Sequence, residues 1–367
     1  MDKIEMISFS ILLDEVAESR QLLENLVSLE KTVYSEISVG VIPFISSLSD
    51  GIIKFLPTEV HSDFPSIGEQ EFQKIISSVR VSYKQYTDKK FNKATKLILE
   101  IEKRFYSQMV ENYDLFQKLI SNIFAQHDLG VYYFRGMPYA NTNQYHIYLE
   151  SILSKTDKNE IPYFDNRATE LFFEYSKGLG TLINSVNQKA IAEPLIEDIK
   201  ISDFKRRDFY LLDSSRRNFL NGNLPLETQL FLFNILCQNN FVMHVMPRVL
   251  NSKKYFFTRS LIQCYLVSIK ALRSLFNKYG SLFSVSQLQI TSDILNRKEK
   301  YFKLGQDFRN NIFHYKISNV PIQNFTTPEY FFEELIEFHS SKKFKDYQKL
   351  LLLELPKINE LIESLIN

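Results

Sequence analysis

Only ten glycines and eleven prolines punctuate this chain of 367 residues. Gly and Pro are the strongest local breakers of regular structure, so a chain this short of them can reverse direction only rarely. Long helices satisfy that constraint, and a fold of many short strands does not. The apolar residues agree. Over 12–35, Leu12, Leu13, Val16, Leu22, Leu23, Leu26, Leu29 and Val33 recur at helical spacing. Gly40, Pro43, Gly51 and Pro57 then interrupt the pattern, and 39–45 is too broken to read as a strand. The helical period returns from 66 to about 127, as one long helix or two stacked ones.

Residues 128–165 read as loop-rich, because Gly130, Gly136, Pro138 and the Asn-Thr-Asn run at 141–143 are turn chemistry. Within them 131–134 suits a short strand and 145–153 a short helix. Another helix is expected over 166–190. Residues 195–223 look like a connector. Its bases (Lys200, Lys205, Arg206, Arg207, Arg216, Arg217) are nearly cancelled by Asp198, Asp203, Asp208 and Asp213. The length exceeds the ~250–300 residues at which single cores stop growing. Two parts are therefore expected, a helical region over 1–205 and a second helical domain over 206–367. In the second, helices are expected from Pro225 to about 245, over 253–278, over 286–315, and after Pro328 and Pro356. The 253–278 segment is apolar nearly all round and should lie at the centre of a bundle.

The formal net charge of +1 argues against a whole-chain electrostatic footprint for nucleic acid or membrane, while a local patch remains open. Cys237 and Cys264 sit in apolar helical segments and read as buried thiols in a reducing, cytoplasmic setting. The N-terminus lacks the basic start of a signal peptide, and no run reaches the ~18 apolar residues of a membrane span. His61, His127, His146, His244, His314 and His339 lack mutual ligand spacing, so no metal site and no cofactor is implied. Gly178-Leu179-Gly180 is too short for a dinucleotide fingerprint, and no nucleophile elbow is present.

One stretch is where a reaction can be named. Residues 308–315 read Phe308-Arg309-Asn310-Asn311-Ile312-Phe313-His314-Tyr315, an arginine and a histidine five positions apart in apolar, aromatic surroundings. This octet resembles the HEPN superfamily, whose ribonucleases carry Arg, four to six residues, then His, with a polar residue after the Arg. The matching residues are Arg309, Asn310 and His314, and the resemblance covers roughly 215–367. It implies an antiparallel helical bundle, a homodimer formed through the C-terminal domain, and metal-independent cleavage of RNA, whether tRNA or another cellular RNA. His314 would move the proton of a ribose 2′-hydroxyl, and Arg309 would bind the phosphoryl oxygens as charge builds there. Asn310 and Asp307 would support the site, with Lys303 a further neighbour. HEPN nucleases with unrelated N-terminal regions imply an anti-phage, abortive-infection or toxin setting, with a regulatory partner unidentified. Some HEPN toxins carry a tyrosine two residues after the histidine. Here Lys316 stands there, so the resemblance does not extend to a nucleotidyltransferase partner.

Positions i and i+5 of a straight helix lie ~140° apart around its axis. Arg309 and His314 therefore need a helix that bends or ends at the octet, or a second protomer. The same residues also read as ordinary helix-terminal ones, a cation suited to the dipole and an imidazole near open carbonyls. The alternative to an enzyme is a non-catalytic helical protein that dimerises or binds a nucleotide or partner.

Overall fold

The computed structural model describes residues 1–56, 69–84, 91–154, 166–186, 199–302 and 305–367. His61 and Lys303 lie outside them. Among the described residues the fold is mainly α, with one small sheet.

The first long helix of the sequence reading is two helices, α1 (Lys3–Val27) and α2 (Lys31–Phe55). Contrary to expectation, α2 runs straight through Gly40, Pro43 and Gly51. Its glycines serve close packing rather than turning. A Cβ on Gly40 would lie 2.3 Å from a ring carbon of Phe241, and one on Gly51 2.8 Å from the Tyr315 ring. Residues 33–55 are long and apolar enough to cross a membrane, yet 83% of their most apolar window is buried inside the fold. Next come α3 (Glu69–Lys84), α4 (Phe91–Glu111) and α5 (Leu115–Phe124).

The stretch read as loop-rich holds β1 (Leu129–Phe134), β2 (Met137–Asn141) and α6 (Thr142–Leu153). Arg135 and Gly136, both at positive φ, close the two-residue hairpin turn that such strands favour. After α7 (Asn166–Val186), the connector contributes β3 (Phe204–Phe209). The sheet order is β2-β1-β3, antiparallel throughout, with Leu129 opposite Phe209 and Phe134 opposite Phe204.

The expected boundary at 205/206 therefore falls inside a strand paired to the N-terminal part. One contiguous apolar core runs from Ile7 to Ile366. Its axis is α8 (Leu226–Asn240), where every residue from 228 to 240 is buried. It packs on β2 and α4 from one half of the chain and on α10 (Tyr255–Tyr279) and α14 (Phe344–Ile366) from the other. A π-helical turn, Phe241–Val245, leads from α8 into the short α9 (Met246–Val249). The single helix expected over 286–315 is split into α11 (Val285–Tyr301) and α12 (Gln306–His314), because Phe302 and Gly305 are extended. Helix α13 (Phe331–Ser340) follows Pro328, and α14 passes through Pro356 without ending.

Glu18 of α1 accepts the backbone N–H of Phe256 at 2.7 Å, meeting an open donor in the first turn of α10. Burial pushes this carboxyl up from the ordinary 4.5 to about 8. The folded chain then keeps a proton that the unfolded chain releases above pH 4.5. That contribution to stability is full at the acidic end and is lost as pH rises through about 8. Glu18→Gln should therefore flatten the fall in stability across this window, read as urea midpoints at stepped pH. Parallel curves for the two proteins would contradict the assignment.

Candidate functional site at the end of α12

Helix α12 is fixed by what it buries. Phe308, Asn311, Ile312 and Phe313 point into the core. The helix ends at His314 because Tyr315 turns left-handed, with φ 54°, and carries its own ring inward. The last carbonyls of a helix lack intrahelical donors. Here Arg259 of α10 supplies them, its Nη1 donating to Asn311 O at 3.2 Å and Ile312 O at 2.9 Å. The Arg259 Nε in turn donates to both oxygens of Glu15 on α1, at 2.7 and 2.8 Å, and the Tyr315 hydroxyl donates to the same carboxylate at 2.8 Å. Open carbonyls thus exist at this helix end, and a buried guanidinium from another helix satisfies two of them.

Arg309 is half-buried on the side of α12 that faces α10 and α11. It lines a cleft of about 180 Å³ with Lys270, Arg273 and Lys298. Four cations meet there, and none of the described lining residues is an acid. Burial pulls the Arg309 guanidinium below its ordinary range, and the group remains a cation at neutral pH. Its guanidinium lies 5.8 Å from the centre of the Phe313 ring.

His314 has different neighbours. Its Nδ1 lies 3.4 Å from Nη1 of Arg80, which α3 brings in from the N-terminal half. Arg80 is in ion-pair contact with Asp50 of α2 at 3.2 Å, and Asp50 also receives Lys54 at 2.5 Å and the Ser77 hydroxyl at 3.2 Å. Within one chain, then, the fold gives Arg309 and His314 separate surroundings, as their angular offset requires. No bend in α12 undoes it, since the helix simply stops.

The two supporting residues act elsewhere. Asn310 accepts a bond from Gln306 at 3.3 Å, and Asp307 accepts one from Asn319 at 2.9 Å, bracing the loop after the helix. The amide that organises the octet is Asn311. It donates to Ser318 O and to His339 Nε2, and accepts the Ser318 N–H. Arg80, Lys270, Arg273 and Lys298 were not part of the sequence reading. They arrive from three other helices, and nothing local in 308–315 marks them.

Sequence reading also passed over a second cluster. Glu102 of α4 and His146 of α6 form a buried pair, Oε2 to Nδ1 at 2.9 Å, on the wall of a larger cleft. Among the described residues no group of three or more His, Cys, Asp or Glu is arranged to hold a metal ion. No protein-family model, no curated protein and no solved structure matches this chain.

Arg259→Met would strand the Glu15 carboxylate in the core. The expected cost is about 3–5 kcal/mol of unfolding free energy, with much of it recovered in the double variant Glu15→Leu/Arg259→Met. Urea unfolding of both proteins checks this. A double variant as unstable as the single one would mean that packing, not the unpaired charge, sets the cost.

Proposed function

We propose that this chain is a metal-independent endoribonuclease of the HEPN type, active as a homodimer whose site draws Arg309 from one copy and His314 from the other. The observation that carries the reading is the cleft in which Arg309 meets Lys270, Arg273 and Lys298, four cations brought together from three helices. Such a cluster suits consecutive phosphates of a polynucleotide. RNA is the polymer whose 2′-hydroxyl provides an internal nucleophile. In the reaction the 2′-oxygen loses its proton and attacks the adjacent phosphorus. The 5′-oxygen departs with a proton, leaving a 2′,3′-cyclic phosphate. Arg309 stabilises the charge that gathers on the phosphoryl oxygens.

Arg80 bears on the role of His314. A guanidinium only donates, so in the neutral ring its contact with Nδ1 places the imidazole proton on Nε2. In that state the ring is not yet an acid: only the imidazolium, formed when Nδ1 takes up a proton, can protonate the departing 5′-oxygen. Accepting the 2′-hydroxyl proton requires the Arg80 contact to open. An anti-phage or toxin setting accords with a nuclease held in check in this way.

A second reading, a helical interaction protein without catalysis, is favoured by α5. There Leu115 is 89% exposed and Phe116 69%, and Leu119 and Ile120 lie beside them in the open. Patches of this kind mark interaction surfaces.

Purified chain incubated with total RNA in EDTA should generate fragments ending in 2′,3′-cyclic phosphate, and Arg309→Ala and His314→Ala should each abolish them. Mixing the two inactive variants should restore about a quarter of wild-type activity, because half the dimers are mixed and each retains one intact site. Intact RNA throughout, or equal cleavage by wild type and both variants, would remove the ribonuclease reading. Loss of self-association in Phe116→Ser alongside intact RNA would favour the second.

A further inference from the structure

A cleft of about 390 Å³ beside the sheet lies away from α12, between α4, α6, β1 and β3. Its volume falls in the ~300–1,000 Å³ range of small-ligand sites. Gly130 forms part of its wall. A Cβ there would come within 2.9 Å of Thr142 and 3.1 Å of Asp208, so a glycine lets β1 lie flush against the start of α6.

The walls are aromatic, with Phe105 and Tyr106 from α4, Tyr132 from β1 and Tyr145 from α6. Polar and charged groups line it as well, and those around the imidazole are ordered. Glu102, 1% exposed at its side chain, accepts from Asn143 Nδ2 at 2.7 Å and faces His146 Nδ1 at 2.9 Å. That carboxylate holds the imidazole proton on Nδ1, so in the neutral ring Nε2 is an acceptor. Phe105 stacks on the same imidazole with ring centres 3.4 Å apart, fixing its plane. Among the described residues Nε2 meets no partner. The remaining acids are already engaged. Asp128 receives the N–H groups of Leu211 and Leu212 at 2.6 and 2.7 Å, and Asp208 holds Arg206 Nε at 3.0 Å. Arg206 stands at the mouth, half exposed, with its terminal nitrogens beyond the Asp208 bond.

We propose that this cleft binds a nucleoside 5′-monophosphate, either a free nucleotide or the equivalent residue of a single-stranded RNA. Flat aromatic walls match the faces of a nucleobase, where stacking contributes ~1–3 kcal/mol per base. The Nε2 acceptor meets a ring N–H or exocyclic amine at the base edge. The guanidinium at the mouth takes the phosphate, for which its planar donor fork is suited. The site is independent of Arg309 and His314, and its test does not read RNA cleavage.

Calorimetry of the full chain with AMP, GMP, CMP and UMP should show saturable binding of at least one, and the matching nucleoside should bind about tenfold more weakly. Arg206→Ala should reduce the monophosphate to the level of the nucleoside and leave the nucleoside unaffected. Tyr106→Ala should weaken both. Both side chains are partly exposed, so circular dichroism should report unchanged folding. A tetranucleotide that competes with the monophosphate and binds more tightly would identify RNA as the source, and one that fails to compete would identify the free nucleotide. Absence of heat with all four monophosphates, or binding untouched by both substitutions, would overturn the proposal.

Discussion

The buried contact between Glu15 and Arg259 is what the geometry of the octet depends on. Both side chains are essentially inaccessible, at 0% and 2%. Burial pushes the Glu15 carboxyl up, and the Arg259 and Tyr315 bonds draw it back down. A pair this deep offsets its desolvation only when its remaining donors and lone pairs are also satisfied. Here they are met by the carbonyls of α12, by the Tyr315 hydroxyl, and by the faces of Tyr315 and Phe332, 4.2 and 4.8 Å from the guanidinium. One ion pair thus joins α1, α10, α12 and α13. Gly51 extends the assembly, since only a residue without a side chain lets α2 press against the Tyr315 ring.

A second polar system runs through the core beside α8. Asn141 donates to Asn234, Asn234 to Asn143, and Asn143 to Glu102. Farther along the same helix Asn239 donates to Asn359, Asn359 to Asn240, and Asn240 to Pro138 O. Each amide is worth little alone, while an unmade bond at such depth costs about 1–3 kcal/mol. These chains therefore specify more than they stabilise. They align the hairpin, α4 and α6 on one side of α8 and α14 on the other. The Glu102–His146 pair is the outer end of the first chain.

What was legible in the sequence followed from local rules. The helical period of 253–278 and the break near 315 are properties of neighbouring residues, and so is the ~140° offset of Arg309 from His314. The turn at Gly136 was equally local. Helix α2 was hidden because Gly40 and Gly51 carry the signature of turns, and only the distant rings of Phe241 and Tyr315 reveal their use. Strand β3 was hidden because its middle, Lys205-Arg206-Arg207-Asp208, is charged on both faces, as suits a sheet edge guarded against further pairing. The partners of the octet lie farther still. Arg80 is 234 positions from His314, and Glu15 is 244 from Arg259. No window of sequence joins them, because the join is made by packing.

The capping of α12 by Arg259 has a consequence for how this protein can be taken apart. The counter-charge for that arginine comes from the first helix of the chain, and the edge strand of the hairpin comes from the stretch that looked like a connector. A fragment starting near 206 would keep the octet but lose Glu15, leaving a bare guanidinium in its core and an unmated strand at its surface. The octet is therefore no portable cassette. The surroundings that orient it are written at the opposite end of the polypeptide, and the two ends can change only in concert.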